Sequence, residues 1–422
     1  MTQGNAVGPR LSSTFHRLWF ATGLSALGNG IQRSLVPLLA AAASRDPKIV
    51  GVIVACARLP WLVFGFHVGA WIDKYSPSRV IRVGVGVRVV GALLLTAFLL
   101  AGWSSTIMLC GLVFAVAVGE VMGDISAQTW VAHLETSAAY PVANARIYGT
   151  QVLLGQLTGP VFAGLLFSAA TFLATGACAI LQVLSAIALR RVARSDAMTV
   201  PGSSPRRPDR SGRAPGAAAI VAAIPLRSAH ELIWKDQCLT GLVLLGALSM
   251  LVYGMWITMI VLFATDPKGL DLSPSRYGVL MMTMACGSLL GALVMPMVLR
   301  ATNGFACVAA SCLGVSVLPL GAALSTNVFA VGFSMFAYGL LLSAWNVSAV
   351  SFRQTRVPIQ MLGRVNALYR VASWGAMPIG AVVAGLLGAG TTAQFVFVVC
   401  VAVSLLQYPT LRLVRDMKDY RG

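Results

Sequence analysis

The chain has 422 residues, 57% of them apolar, and only 44 charged side chains, 31 basic and 13 acidic. A soluble protein of this length would carry roughly 105 charges, and so few cannot cover a water-facing surface. A soluble enzyme, a nucleic-acid binder and a disordered scaffold are therefore excluded, and the formal net charge of +18 does not restore the nucleic-acid reading, because the bases lie in short segments between apolar runs.

A helix crosses a bilayer with about 20 apolar residues. Twelve such runs occur, at 18–43, 49–72, 79–101, 105–131, 145–168, 170–192, 237–263, 273–299, 304–324, 327–351, 364–388 and 391–412, numbered here as spans 1 to 12. They are continuously apolar rather than alternating, which argues against an outer-membrane barrel. The first 17 residues are polar and the first apolar run is long enough to span, so no cleavable signal peptide is expected. With the N-terminus inside, inner segments hold 23 Lys and Arg, outer segments hold 4, and Arg33, Arg58, Arg88 and Arg370 fall inside spans. That asymmetry places both termini in the cytoplasm. The polar stretch 193–236, with its Pro- and Arg-rich core at 201–213, reads as a cytoplasmic linker. It divides an N-terminal six-helix bundle, 1–192, from a C-terminal one, 237–422.

Span 1 carries Gly28-Asn29-Gly30 and Arg33, and span 2 carries Arg58 before Leu-Pro-Trp61. Between spans 2 and 3 lies Gly69-Ala-Trp-Ile-Asp73-Lys74-Tyr-Ser76-Pro77-Ser78-Arg79. Gly69 would allow close helix contact, Asp73 accepts from a neighbouring helix N-terminus, and Lys74 and Arg79 pair with acids or lipid phosphate. As a bland alternative, the loop is only a basic topology signal. Span 4 carries Glu120, Asp124 and Gln128 at spacing i, i+4, i+8, on one face. A carboxylate within a span is costly, so it is paired, protonated or wet. Burial opposes its charge and a neighbouring arginine favours it, so a site alternating between the two environments takes up and releases a proton. Depth pairs Arg88 with Asp124 and Arg58 with Glu120, while Arg33 of span 1 is placed to attract an anionic group or to balance Glu120, or is simply a paired or snorkelling arginine. A fixed structural ion pair is the alternative for either acid.

Span 5 contains Gly155-x-x-x-Gly159-Pro160-x-x-Ala163-Gly164, small residues that form a groove for a facing helix before a bending proline. A shift of 218 residues superposes Arg146 on Arg364 and Pro160 on Pro378, and both segments run into Ala-Gly-Leu-Leu, a weak internal repeat. In the second half, Tyr253 and Trp256 on span 7, Trp345 and Asn346 on span 10, and Tyr369, Arg370 and Trp374 on span 11 are candidates to line a cavity. Apolar walls with a few polar groups suit an amphipathic organic ligand; each residue alone also fits packing or an interfacial belt. The eight cysteines contain no CxxC pair, the four histidines are scattered, and no GxSxG, P-loop or HExxH occurs, so metal, nucleotide or hydrolytic chemistry has no motif.

The loop after span 2 resembles the signature of the major facilitator superfamily, Gly-x-x-x-Asp-Arg/Lys-x-Gly-x-x-Arg, with Ser76, Pro77 and Ser78 in place of the usual glycine and bases. Span 5 is similar to the superfamily's antiporter motif. Together with Arg58-Leu-Pro-Trp61, the span 4 face, Asn144-Ala-Arg146 and Leu362-Gly-Arg-Val-Asn366, these resemble the bacterial drug- and siderophore-exporter branch. The resemblance implies an all-α polytopic protein of 12 helices in two pseudo-symmetric six-helix bundles, with a cytoplasmic latch at Gly69, Asp73, Lys74 and Arg79 that forms in the outward-facing state. Relatives in this branch often have Gly-Asp-Gly in span 1; Asn29 removes that acid and shifts the weight of proton coupling onto span 4. The implied function is a proton-coupled antiporter of the bacterial cytoplasmic membrane. It would export an amphipathic organic molecule by alternating access, with no cofactor beyond the proton gradient and with substrate, protons and membrane lipids as partners of a monomer. Import or facilitated diffusion is the transporter alternative, and a non-transporting receptor the alternative of another class.

Overall fold

The computed structural model describes residues 12–102, 105–134, 140–199 and 226–420. Among them the chain is almost entirely helical and contains no strand. Among the described residues, eleven helices are long and apolar enough to cross a membrane. Span 1 falls outside that set, although its helix Ser13–Ala43 has 31 residues, about 46 Å at 1.5 Å per residue. Asn29, Gln32 and Arg33 dilute its middle.

Local chemistry starts the helices where the apolar runs begin. Asp46 accepts from the Lys48 amide and is followed by Pro47, Asp236 accepts from the Cys238 and Leu239 amides, and Ser273 caps the helix that opens with Pro274. Each pattern satisfies amides that the first turn leaves unpaired. The expected linker is helical at both ends: the span 6 helix runs Thr171–Thr199, and a further helix covers Leu226–Lys235. Ile233 of that helix is buried with Leu239, Val357 and Val365, while Trp234 is exposed. The 201–213 stretch lies outside the described residues.

Spans 5 and 11 are interrupted at matching places. In span 5, Tyr140–Thr150 passes through a π-helical segment, Gln151–Thr158, into Gly159–Ala169. In span 11, Ile359–Trp374 breaks at Gly375 and resumes at Ala376–Gly388. Each irregularity immediately precedes the repeat-related proline, Pro160 or Pro378, whose missing amide cannot continue the hydrogen-bond ladder.

Within the first six spans, span 1 packs on spans 5 and 6, span 3 on spans 4 and 6, and span 2 on span 4. Within the last six, span 10 packs on spans 8 and 9, and span 7 on spans 11 and 12. Contacts between the two groups run chiefly from span 2 to span 11 and from span 5 to span 8. They gather at the end of the molecule away from Ser12 and Tyr420, here the distal end. There a methyl group on Gly51 would lie 2.6 Å from the Ala381 carbonyl oxygen, one on Gly164 2.3 Å from that of Pro274, and one on Gly278 2.3 Å from that of Pro160. Arg45 Nη1 donates to Thr265 Oγ1 at 2.9 Å, and the Ser275 amide donates to Ser168 Oγ at 3.0 Å. Glycine at each contact lets backbones approach where any side chain would separate them.

Candidate functional site

Arg33, about 15 Å along span 1 from the distal end, holds both intramembrane carboxylates. Its Nε and Nη2 donate to Glu120 Oε1 at 2.9 and 2.5 Å, and Nη2 lies 3.7 Å from Asp124 Oδ2. The i, i+4 spacing of the acids along span 4 puts both within reach of one guanidinium, as the shared helical face requires. Glu120 is buried, Asp124 is partly buried, and the Arg33 side chain is 37% exposed.

The two acids open on different spaces. Glu120 lines a cavity with Arg33 and Pro37 of span 1, Val54 and Arg58 of span 2, and Ile257 of span 7. Asp124 lines a second cavity inside the first group of helices, with Thr22 and Ser25 of span 1, Val85 of span 3 and Ser185 of span 6. Arg33 therefore ties together two acids that line separate cavities.

The pairing differs from the depth argument. Arg88 is 1% exposed and donates through Nη2 to Ser25 Oγ and Gln182 Oε1, not to Asp124. Gln182 in turn donates to Asn29 Oδ1 at 3.4 Å, so Asn29, expected in the substrate cavity, belongs to a buried polar layer joining spans 1, 3 and 6. Glu120 is taken by Arg33 rather than by Arg58. Arg58 lines the central cavity and makes no hydrogen bond or ion pair among the described residues.

On the other side, the Tyr253 ring stacks between Trp256 and Tyr338, with centroids 5.9 and 6.1 Å away. Trp256 is fully buried in the main apolar core, and Trp345 packs in a separate apolar cluster with Leu242, Cys312 and Phe352. Asn346 and Arg370 are exposed. A contact absent from the sequence expectations joins the halves: the rings of Trp61 and Trp374 lie 5.1 Å apart, tilted by 39°. This pair sits on the terminal side of Arg58, about one helical turn below it.

The antiporter-like motif has two working faces. A methyl group on Gly30 would meet the Gly155 carbonyl oxygen at 2.1 Å, and one on Gly159 would meet the Gly30 carbonyl carbon at 2.5 Å. The helix that fills the expected groove is thus span 1. Gly164 and Pro160 face span 8 across the two halves. The latch-like loop is different: a methyl group on Gly69 would meet nothing within 4 Å, so the close contact expected there is not made in this conformation. Lys74 lies 5.1 Å over the Tyr75 ring, and neither it nor the exposed Arg79 forms an ion pair among the described residues. The side chains of Asp73 and Gln128 lie outside those described. Charge pairing at this end is found instead in the second half, where Arg356 Nε donates to Asp236 Oδ2 at 2.8 Å and Nη2 lies 3.7 Å from Asp416 Oδ2. Its hydrogen bond to Asp236, then the charge of that carboxylate, holds the Arg356 guanidinium above its ordinary pKa.

The helical order, the broken fifth and eleventh spans and a charged central cavity between two packed groups define a secondary-transporter architecture. Residues 18–380 match the Major Facilitator Superfamily, and the chain belongs to that family. The structure is similar to that of the nucleoside transporter NupG, with 13% identity, a TM-score of 0.70, and 96% of this chain and 100% of that one covered. It is equally similar to a bacterial homologue of the iron transporter ferroportin in an inward-facing state, with 15% identity, a TM-score of 0.70 and the same coverage. A bacterial metal transporter aligns at 16% identity with a TM-score of 0.62 over 96% of this chain and 99% of that one. No curated protein matches the sequence. At these identities the structural likeness establishes the fold alone, and the protein is a transporter rather than an enzyme.

Proposed function

We propose that the protein is a proton-coupled antiporter that exports an amphipathic organic molecule across the bacterial cytoplasmic membrane. The observation that carries this is Arg33 holding Glu120 and Asp124 between two crevices. Protonation of either acid removes a partner of Arg33, which changes the charge lining the cavity and the tie between spans 1 and 4. A proton thereby biases the equilibrium between two conformations, as coupling requires. With the termini in the cytoplasm, as the distribution of basic residues indicates, the packed distal end faces outward and the cavity loads from the inside. The open space beside Gly69, with no ion pair from Lys74 or Arg79 among the described residues, fits that state, since the family motif closes this end only when the other is open. The 193–236 linker joins the two bundles that rock about the cavity.

Arg58 favours a second reading. An unpaired cation in the cavity attracts an anion, and a protonated acid strengthens that attraction, so proton and anion would be carried together. Everted vesicles made from cells producing the protein separate the two readings. Antiport predicts that anionic, neutral or cationic naphthalene derivatives accumulate when the lumen is acid, with proton loss from the lumen, and that a protonophore abolishes the accumulation. Cotransport predicts efflux from the lumen with its protons. Accumulation that survives the protonophore would reject proton coupling.

A further inference from the structure

We infer that the central cavity is built for an organic anion, recognised by Arg58. This rests on reading that cavity as the translocation site, which antiport and cotransport share. The bilayer-buried charges of the first half are Arg33, Arg58 and Arg88 against Glu120 and Asp124. Both acids are committed to Arg33. Arg88 is held by the neutral acceptors Ser25 and Gln182 and is 1% exposed, so no solute reaches it. Arg58 remains. It faces the cavity beside the Arg33–Glu120 pair; it forms no hydrogen bond or ion pair among the described residues, and Glu120, the acid whose charge reaches it, is already hydrogen-bonded to Arg33.

An unpaired guanidinium away from bulk water is costly, and an incoming carboxylate, sulfonate or phosphate satisfies it with a forked pair of hydrogen bonds. The excess of positive charge persists in every protonation state, because protonating an acid only increases it. The same count disfavours a cationic cargo. No group of three or more His, Cys, Asp or Glu that could hold a metal ion occurs among the described residues, so a divalent cation has neither the ligands nor the sign of charge it needs. The remaining walls, Pro37, Val54 and Ile257, are apolar, which fits an anion on a hydrophobic body.

The test is equilibrium binding to the purified full chain in detergent micelles. Radiolabelled 2-naphthalenesulfonate is the probe, with 2-naphthalenemethanol and 2-naphthylmethylammonium as competitors of the same ring size. The expected ranking is sulfonate tighter than alcohol by about tenfold or more, the gain from one charge-assisted contact, with the ammonium weakest. Arg58→Gln should erase the advantage of sulfonate over alcohol, and Arg58→Lys should retain part of it. Absence of saturable sulfonate binding, competition by the ammonium equal to that of the sulfonate, or an unchanged advantage in Arg58→Gln would each overturn the inference. Displacement of the sulfonate by phosphatidylglycerol but not by phosphatidylcholine would assign Arg58 to a lipid headgroup and overturn it as well. The wild-type ranking decides the matter even if a variant fails to fold. Because no gradient is present, failure of proton coupling in vesicles leaves this result standing, and a preference for the cation would overturn this inference alone.

Discussion

Gly164 of span 5 and Pro274 of span 8 meet so closely that a methyl group on the glycine would lie 2.3 Å from the proline carbonyl oxygen. The contact joins the two halves at the distal end, next to the hydrogen bond between the Ser275 amide and Ser168 Oγ. A valine there has no room while this end is closed. Gly164→Val is expected to shift the population toward a distal-open state. In a cysteine-depleted background, Ser168→Cys should then react several-fold faster with an impermeant maleimide added from outside. An unchanged rate would show that the distal contacts do not hold the molecule shut.

The backbone contact of Gly30 with Gly155 lies inside one half and should affect stability rather than state. Overpacking of a tight contact typically costs about 1–3 kcal/mol. Gly30→Ala is expected to lower the denaturation midpoint accordingly. Gly149→Ala, where an added methyl group meets nothing within 4 Å, should leave it nearly unchanged.

The Trp61–Trp374 pair crosses the halves on the terminal side of Arg58. An aromatic pair contributes about 0.5–1.5 kcal/mol beyond its buried area. Trp374→Ala should widen access to the cavity from the terminal end, read as faster maleimide labelling of Ala57→Cys in everted vesicles. Trp374→Phe should restore most of the wild-type rate.

Asp236 serves two structures at once. It caps the span 7 helix through the Cys238 and Leu239 amides and accepts from Arg356. Losing a cap costs about 1 kcal/mol, and an exposed ion pair contributes about 0–1 kcal/mol. Asp236→Ala should therefore destabilise the protein more than Arg356→Ala, and Asp236→Ser should recover the difference by keeping the cap alone. Equal midpoints for Asp236→Ala and Arg356→Ala would contradict this division.

Much of the architecture is legible in the sequence, because apolar run length, basic loops and helix-starting residues are local signals. The positions of Glu120 and Asp124 on one face follow from spacing. For Glu120 the sequence offers both Arg58 and Arg33, and only the structure chooses Arg33; for Asp124 it offers Arg88 and misses Arg33. Depth along a helix sets the level of a side chain but not the direction in which it points around the axis, so Arg58 and Glu120 match in level while Glu120 pairs with Arg33. The same limit hides the Trp61–Trp374 contact, which depends on span 2 lying beside span 11. Gly69 shows a related limit: a small residue permits close approach, yet whether a neighbour arrives depends on the conformational state. The π-helical segment 151–158 has only Gly155 and the following Gly159-Pro160 as local cues, and the same residue types occur in regular helices.

We propose that the Arg33-held acids couple proton movement to substrate movement without forming the translocation route itself. In proteoliposomes carrying Glu120→Gln and Asp124→Asn together, exchange of labelled for unlabelled substrate should continue while accumulation driven by an imposed pH gradient disappears. Gradient-driven accumulation at the wild-type level in that double variant would show that Glu120 and Asp124 do not couple protons to transport.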